Sequence, residues 1–422
     1  MTCTNFAFLV VLILAVTVDA ASITDAKTLI ANLSTGYDKE VRPIDDQSSS
    51  VQVYIDMYLI SIKDFDEVSG TLSILAIFIV SWNDASLIWD PSLYGGMDET
   101  YITQNNLWLP KLYNIKASNA FSAISNSDFL VNIKNTGDII WKPGGFFDVK
   151  CSTDVSYFPF DTQTCSIQLA PWGYSDQEVT LLPSRTGITL DFYETNGEWS
   201  LDKTETDTYV LSDFSLALFK IKISRLPAFH VVNTLMPIYL LLLMNPLVFV
   251  LPCDAGERVG LSLTVFLTFT VFITIVNGVL PVNSETMSKL SYFIFAVLVT
   301  SGIIASINIF QLSMFHKDEA TPVPRWLTKL MLVLDCRCKG QRRVVEVRPA
   351  TTIPNHSDPN PNRKHVKGLS VPIEDDIVEE MPSKMNWKDV VRILDKFYIC
   401  LFYTVITVCS VVVLVMMYQG NS

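Results

Sequence analysis

The chain has 422 residues, 49% of them hydrophobic, and a formal net charge of −12. That length allows two or three compact units, and the apolar excess sits in four local stretches rather than throughout. The acid is local too. Residues 22–228 hold 27 acidic against 14 basic residues, whereas residues 316–396 hold 12 against 15. An acidic segment excludes nucleic acid as a natural partner and concentrates cations at its surface, although solubility alone is the plainer reading of the same charge.

Taken in chain order, the apolar run Phe6–Val18 is too short to span a bilayer and is followed by Ala20, Ala21 and Ser22. It reads as a secretory signal peptide, residues 1–21, so the chain beyond it is exported. Asn32-Leu33-Ser34 is then a correctly placed glycosylation sequon with Asn32 as acceptor. Residues 24–35 form a short helix. From there to residue 227 short alternating runs recur at Ser50–Ile62, Gly70–Trp82, Phe129–Trp141, Thr164–Leu169 and Phe214–Ile223, separated by Gly- and Pro-containing turns. About ten strands at this spacing predict an extracellular β-sandwich.

Four runs free of acid and base follow, at 228–251, 259–281, 290–315 and 397–418. Each is long enough for a transmembrane helix. An exported N-terminus and four crossings return the tail, 419–422, to the outside and leave 316–396 in the cytosol, in keeping with its basic excess. Within that segment Pro324-Arg325-Trp326-Leu327 opens a short helix. Residues 349–383 have the composition of a disordered linker. Trp387, Val390, Val391, Leu394 and Phe397 repeat at helical spacing into the last span. The whole is a multi-pass plasma-membrane protein in a lipid bilayer.

The second span carries hydroxyls that a lipid-facing helix does not need. Gly260, Thr264, Leu267, Val271, Thr274 and Gly278 fall on one helical face, grading from small and hydroxylated to Leu and Val. A ring of such helices encloses a wet passage with a hydrophobic constriction at Leu267. The competing reading is a helix-packing face, which small and hydroxylated residues also make. Asp254 and Glu257 precede the face, and a ring of them favours cations. The four histidines, His230, His316, His356 and His365, form no metal or nucleophile constellation, and no glycine-rich phosphate loop is present. The chain is read as no enzyme, with no cofactor and no metal.

Cys151 and Cys165, with 13 residues between them that include Phe158-Pro159-Phe160-Asp161, resemble the signature loop of the Cys-loop pentameric ligand-gated channels. The stretch from Leu251-Pro252 to Pro281 resembles that family's pore helix in its cationic branch, the nicotinic acetylcholine and serotonin-gated receptors. The likeness extends to Trp82-Asn83-Asp84, Trp108-Leu109-Pro110, Arg225-Leu226-Pro227 and Pro237. Gly256-Glu257 stands where the anionic branch usually carries a Pro-Ala pair. The resemblance implies a Cys151–Cys165 disulfide and an extracellular sandwich above a four-helix bundle. It also implies a pentamer with four further subunits, identical or different, around a central pore. It places Phe158, Pro159 and Phe160 against the linker from Pro281 to Lys289, with Glu67 and Val68 beside the same linker and Arg225 paired to Glu67.

The family binds a small-molecule agonist, often an amine, in an aromatic box between subunits. Trp172 falls where the central box tryptophan lies. Tyr113, Tyr209, Tyr174 and Trp141 are the further aromatic candidates. Three features depart from the nicotinic pattern. No adjacent cysteine pair occurs in residues 199–215, the capping hairpin 202–213 is short, and Ile77 stands where the complementary face usually has Trp. The chain therefore resembles a divergent member whose agonist is an amine, an unusual ligand or protons, or an accessory subunit that needs a partner.

Overall fold

The computed structural model describes residues 21–121, 123–125, 129–253, 257–281, 287–318, 321–336 and 385–418. The signal segment before residue 21, Asp254, the linker 349–383 and the tail 419–422 lie outside the described residues. By its contacts the chain divides into Met1–Met236 with Ile273–Phe293 and Val413–Ser422, and Pro237–Phe272 with Ile294–Val412.

The first unit is a β-sandwich. Helix α1 (Ile23–Ser34) opens it, capped by Ser22, whose hydroxyl accepts from the Asp25 amide while Asp25 accepts in return, a reciprocal capping box. Eleven strands follow among the described residues: β1 (Val51–Asp66), β2 (Thr71–Ile88), β3 (Glu99–Thr103), β4 (Leu112–Asn114), β5 (Leu130–Lys134), β6 (Thr136–Trp141), β7 (Gly144–Lys150), β8 (Thr162–Pro171), β9 (Val179–Pro183), β10 (Trp199–Leu211) and β11 (Phe214–Arg225). One sheet runs β3-β5-β6-β2-β1-β9 with β7 also on β2; the other runs β10-β11-β8-β4. Alternation sets the core. In β2, Leu72, Ile74, Ala76, Phe78, Val80 and Trp82 are buried while their neighbours are partly open, the period-two signature of a sheet covered on one face.

The run Phe129–Trp141, expected as one strand, is instead the hairpin β5–β6, with Ile133 opposite Ile139. Asn135-Thr136-Gly137 breaks it, Gly137 taking φ +81°, a backbone conformation that a side chain disfavours. The disulfide Cys151–Cys165 ties the residue after β7 in one sheet to β8 in the other. It staples the sandwich where the two sheets meet.

Among the described residues four helices are long and apolar enough to cross a membrane: α2 (Ala228–Val250), α3 (Glu257–Val279), α4 (Lys289–Phe315) and α6, whose apolar window is Trp387–Val412 within the helix Trp387–Tyr418. A shorter helix, α5 (Arg325–Cys336), lies between the last two. Helix α2 is irregular for a local reason. Pro237 has no amide to give, and Val231–Leu235 just before it winds as a π-turn, the usual accommodation of a lost i→i−4 bond. The amphipathic repeat from Trp387 and the last span form one continuous helix. Val248, Phe249, Ile304 and Phe402 form one buried cluster in the second unit, and Cys253, Met314, Trp387 and Val391 another.

Candidate functional site

Three groups of residues follow from this fold. The first is an aromatic cluster at one end of the β10-β11-β8-β4 sheet. Trp172 follows β8, and its ring stacks on Phe214 at the start of β11, with centroids 5.8 Å apart and 7° between planes. Phe121 meets Trp172 edge-on at 4.6 Å and stacks on Tyr113 of β4 at 4.9 Å. Trp172 is held by its amide, which donates to the Lys111 carbonyl, and is followed by Gly173 at φ +94°, where only glycine turns the chain without strain. Trp172 and Phe121 are about half exposed, at 48% and 51%. Such open rings offer area and π-faces to a ligand.

The other aromatic candidates go elsewhere. Trp141 is buried in the sandwich, its Nε1 donating to Gln104 Oε1 at 2.9 Å; it is a core residue. Tyr174 packs on Trp108 and accepts from its Nε1 at 3.1 Å. Tyr209 lies on β10 opposite Leu216 and makes no ring contact with the cluster among the described residues. Phe121 and Phe214 were not singled out from sequence. Phe214 had a readable signal, because it closes the same short hairpin that was expected to cap Trp172. That hairpin turns on Ser212 and Asp213, both with positive φ, and pairs Leu211 with Phe214.

The second group centres on Arg225, the last residue of β11 and almost fully buried. Its Nη1 lies 2.5 Å from Glu67 Oε1, and its Nε and Nη2 reach Asp161 Oδ1 and Oδ2 at 2.7 and 3.1 Å. The guanidinium also lies over Trp199 and Phe158, 4.3 and 4.9 Å from the ring centroids. Burial works against its charge, but the hydrogen bond and charge of Asp161, and then Glu67, outweigh burial and hold its pKa above the ordinary arginine value. Gln163 donates to the Asp161 oxygen Oδ2 at 2.7 Å. One cation thus joins the β1–β2 turn, the disulfide loop and the strand that leads into α2.

The disulfide loop is held on two further sides. Cys151 donates its amide to the Gly70 carbonyl at 2.8 Å, and a Cβ on Gly70 would come within 2.9 Å of the Cys151 oxygen. At the loop's tip the Lys289 amide donates to Ser156 O at 3.0 Å, and Lys289 Nζ lies 3.6 Å from the Tyr157 ring centroid. Phe158 packs against His230 at 4.9 Å. Phe158 and Pro159 are buried, Phe160 and Pro281 are half-buried, and Val68 is exposed. Residues 282–286 of the linker expected to meet this loop lie outside the described residues. Asp161, Tyr157 and Lys289 were not given roles from sequence, since nothing local marks a partner 64 or more residues away.

The third group is helix α3. Gly260, Thr264, Leu267, Val271, Thr274 and Gly278 are all exposed in the single chain, with Leu267 at 63%. Ser262, Val265, Phe269, Val276 and Leu280 are buried. Thr264 and Thr268 donate their hydroxyls to the carbonyls of Gly260 and Thr264, the bond to the preceding turn that a hydroxyl in a helix commonly makes. Glu257, the first residue of the helix, is exposed, while its neighbour Arg258 is 2% exposed. Arg258 donates to Asn308 Oδ1 at 2.9 Å and Gln311 Oε1 at 2.6 Å, and it pairs with Asp395 at 2.5 Å. Asn32, on α1, donates its side-chain amide to the Tyr94 hydroxyl at 2.9 Å from an exposed position. Among the described residues no group of three metal-ligating side chains comes together.

Two family models match consecutive parts of the chain: the neurotransmitter-gated ion-channel ligand binding domain over residues 26–227, and the neurotransmitter-gated ion-channel transmembrane region over residues 234–364. Acetylcholine receptor subunit alpha-1-B of Xenopus laevis is 30% identical over 320 residues, which cover 73% of this chain and 69% of that protein. Neuronal acetylcholine receptor subunit alpha-9 of Gallus gallus is 30% identical over 340 residues, 76% of this chain and 69% of the relative. Neuronal acetylcholine receptor subunit beta-3 of Homo sapiens is 26% identical over 311 residues, 72% and 68% respectively. The sandwich with its N-terminal helix, the four long apolar helices, the stapled loop and these matches lead to one conclusion: the chain belongs to the neurotransmitter-gated ion-channel family, as a Cys-loop receptor subunit.

Proposed function

We propose that five such subunits surround a cation-selective pore lined by α3 and opened by a small-molecule agonist that binds at the aromatic cluster. The observation that carries this reading is the division of α3 into two faces. The face bearing Ser262, Val265 and Phe269 is buried, while the face predicted to line the pore is left uncovered in a single chain. In a ring, Leu267 and Val271 form the hydrophobic constriction, Thr264 and Gly260 wet its inner side, and Glu257 supplies a ring of negative charge at the mouth. Agonist binding is transmitted through the Arg225 cluster and the disulfide loop. The exposed faces of Trp172 and Phe121 suit an ammonium ligand, at roughly 0.5–2 kcal/mol per well-placed ring.

Recording from cells that express the chain alone, during application of amines and pH steps, tests the reading. Agonist-evoked currents with a cation-selective reversal potential are expected. Glu257→Lys should shift that potential toward anions, and Leu267→Thr should lower the agonist concentration needed. Currents that keep an unchanged reversal potential in Glu257→Lys would remove that residue from the selectivity ring. A second reading rests on Ile77, half-buried on β2 opposite Gly144. With an aliphatic residue there the subunit serves as one wall only, and currents appear solely on co-expression with a partner subunit.

A further inference from the structure

In the disulfide loop the buried ring of Phe158 touches two basic side chains. The Arg225 guanidinium lies over it at 4.9 Å, and the His230 imidazole meets it at 4.9 Å with 62° between the planes. His230 is the third residue of α2 and half-buried, with Phe229 edge-on beside it at 5.4 Å. The charged groups that act on this imidazole come from three elements: Arg225 ends β11, Glu198 precedes β10 and Asp161 lies in the disulfide loop. Asp161 is committed to Arg225 through two hydrogen bonds, and Glu67 of the β1–β2 turn through an ion pair. Glu198 is exposed, so water and salt screen its charge. A neutral imidazole packs here as an aromatic ring. An imidazolium loses part of its water, beside a guanidinium that already holds both nearby carboxylates.

From this arrangement we infer that His230 is a proton-binding regulatory site: its neutral ring latches the first turn of α2 to the disulfide loop, and a proton on it releases the latch. An imidazole is the side chain whose charge changes between about pH 5 and 8, so a modest acidification is enough to throw it. Phe158 is the shared element. It carries Arg225, which joins the β1–β2 turn, the disulfide loop and β11, and it carries His230, which opens the first membrane helix. Release therefore loosens the sandwich from α2 while the Arg225 pairs stay in place. On the channel reading above, acid on the exported side then weakens the transmission of agonist binding to the pore. That consequence rests on the reading; the latch itself does not.

The test is hydrogen exchange of the purified full-length protein, read by mass spectrometry at about pH 7.5 and about pH 5.5, with labelling times scaled for the intrinsic pH dependence of exchange. The amides to follow are Phe158 and Phe160, which donate to the Val155 and Tyr157 carbonyls at 3.1 and 2.8 Å, and Val231, which donates to Pro227 at 2.9 Å. In the parent their corrected exchange should rise about two- to tenfold at the lower pH, the worth of one aromatic contact. His230→Phe keeps a ring that takes no proton and should stay protected at both values. His230→Gln has neither ring nor titration and should exchange alike at both, which decides the matter if the Phe variant does not fold. No rise in the parent overturns the site. An equal rise in parent and variants also overturns it, and assigns the pH dependence to the carboxylates around Arg225. The readout needs neither agonist nor current, so a silent channel leaves the outcome intact.

Discussion

Two buried arginines, one within each unit, are held in different ways. Arg225 faces two carboxylates, Glu67 and Asp161, and two aromatic rings. Arg258 faces one carboxylate, Asp395, and its other partners are neutral: the Asn308 and Gln311 amides, the Leu251 carbonyl, Cys253 Sγ and the Phe249 ring. At the first site a single cation balances an excess of anion, so the arginine is the member that cannot be spared. At the second, the cation is buried and its one anion is partly exposed, at 16%, so the carboxylate is the member that cannot be spared. The difference also shows in the leftover atoms: Asn308 Nδ2 makes no hydrogen bond among the described residues, whereas Asp161 is bound through both oxygens. A cluster of charges specifies one geometry, while amides around a lone pair leave donors open to water or to rearrangement.

The largest expected effect breaks the first site. Arg225→Gln strands buried Asp161 and half-buried Glu67, and removal of one partner from a buried pair costs about 3–5 kcal/mol. Surface delivery of the receptor should collapse, as measured by labelling an extracellular epitope. Glu67→Gln should be milder, because Asp161 remains. Equal loss from both variants would show that Arg225 depends on Glu67 rather than on Asp161.

The second site should invert that order. Asp395→Asn leaves the Arg258 cation without a counter-charge and should cost more than Arg258→Met, whose stranded carboxylate can reach water. The gap is on the order of 1–2 kcal/mol, set by the price of a buried unpaired charge. Thermal unfolding of the detergent-solubilised protein reads it. If Arg258→Met proves the worse variant, the amides rather than Asp395 are what fix the helix ends.

How far the sequence carries to these sites depends on whether the signal is local. The spans were legible because a run without charge is visible residue by residue, and the sandwich because alternation repeats along each strand. The hairpin β5–β6 was missed because apolar parity continues across its turn, and only Asn135-Thr136-Gly137 marks the break. Parity could also have removed Trp141 from the ligand candidates. It shares a face with Ile139 on β6, and both are buried. The family likeness brought Arg225 and Glu67 together, yet gave Asp161 no partner although it ends the motif that carried the likeness. Pairings across 64 residues of chain are set by tertiary packing, and the local sequence does not encode them. The aromatic cluster was half legible for the same reason: Trp172 and Tyr113 came from the likeness, Phe121 and Phe214 from the fold.

The smallest effect sharpens the contrast between rigid and adjustable parts. The hairpin beside Trp172 turns on Ser212 and Asp213 at φ +49° and +68°, the left-handed pair that a two-residue β-turn requires and that Asn-Gly supplies with least strain. Asp213→Gly should therefore stabilise the sandwich by about 0.5–1 kcal/mol, if the relief of left-handed strain exceeds the added freedom of the unfolded chain. The Asp213 carbonyl that accepts from the Asp176 amide at 2.7 Å is kept in this variant. The turn sits one residue from Phe214, so a gain in melting temperature with unchanged agonist sensitivity would mean that the hairpin is a fixed scaffold for the rings. A gain accompanied by altered sensitivity would mean that the strained turn sets how Phe214 meets Trp172, and that the hairpin moves when the ligand binds.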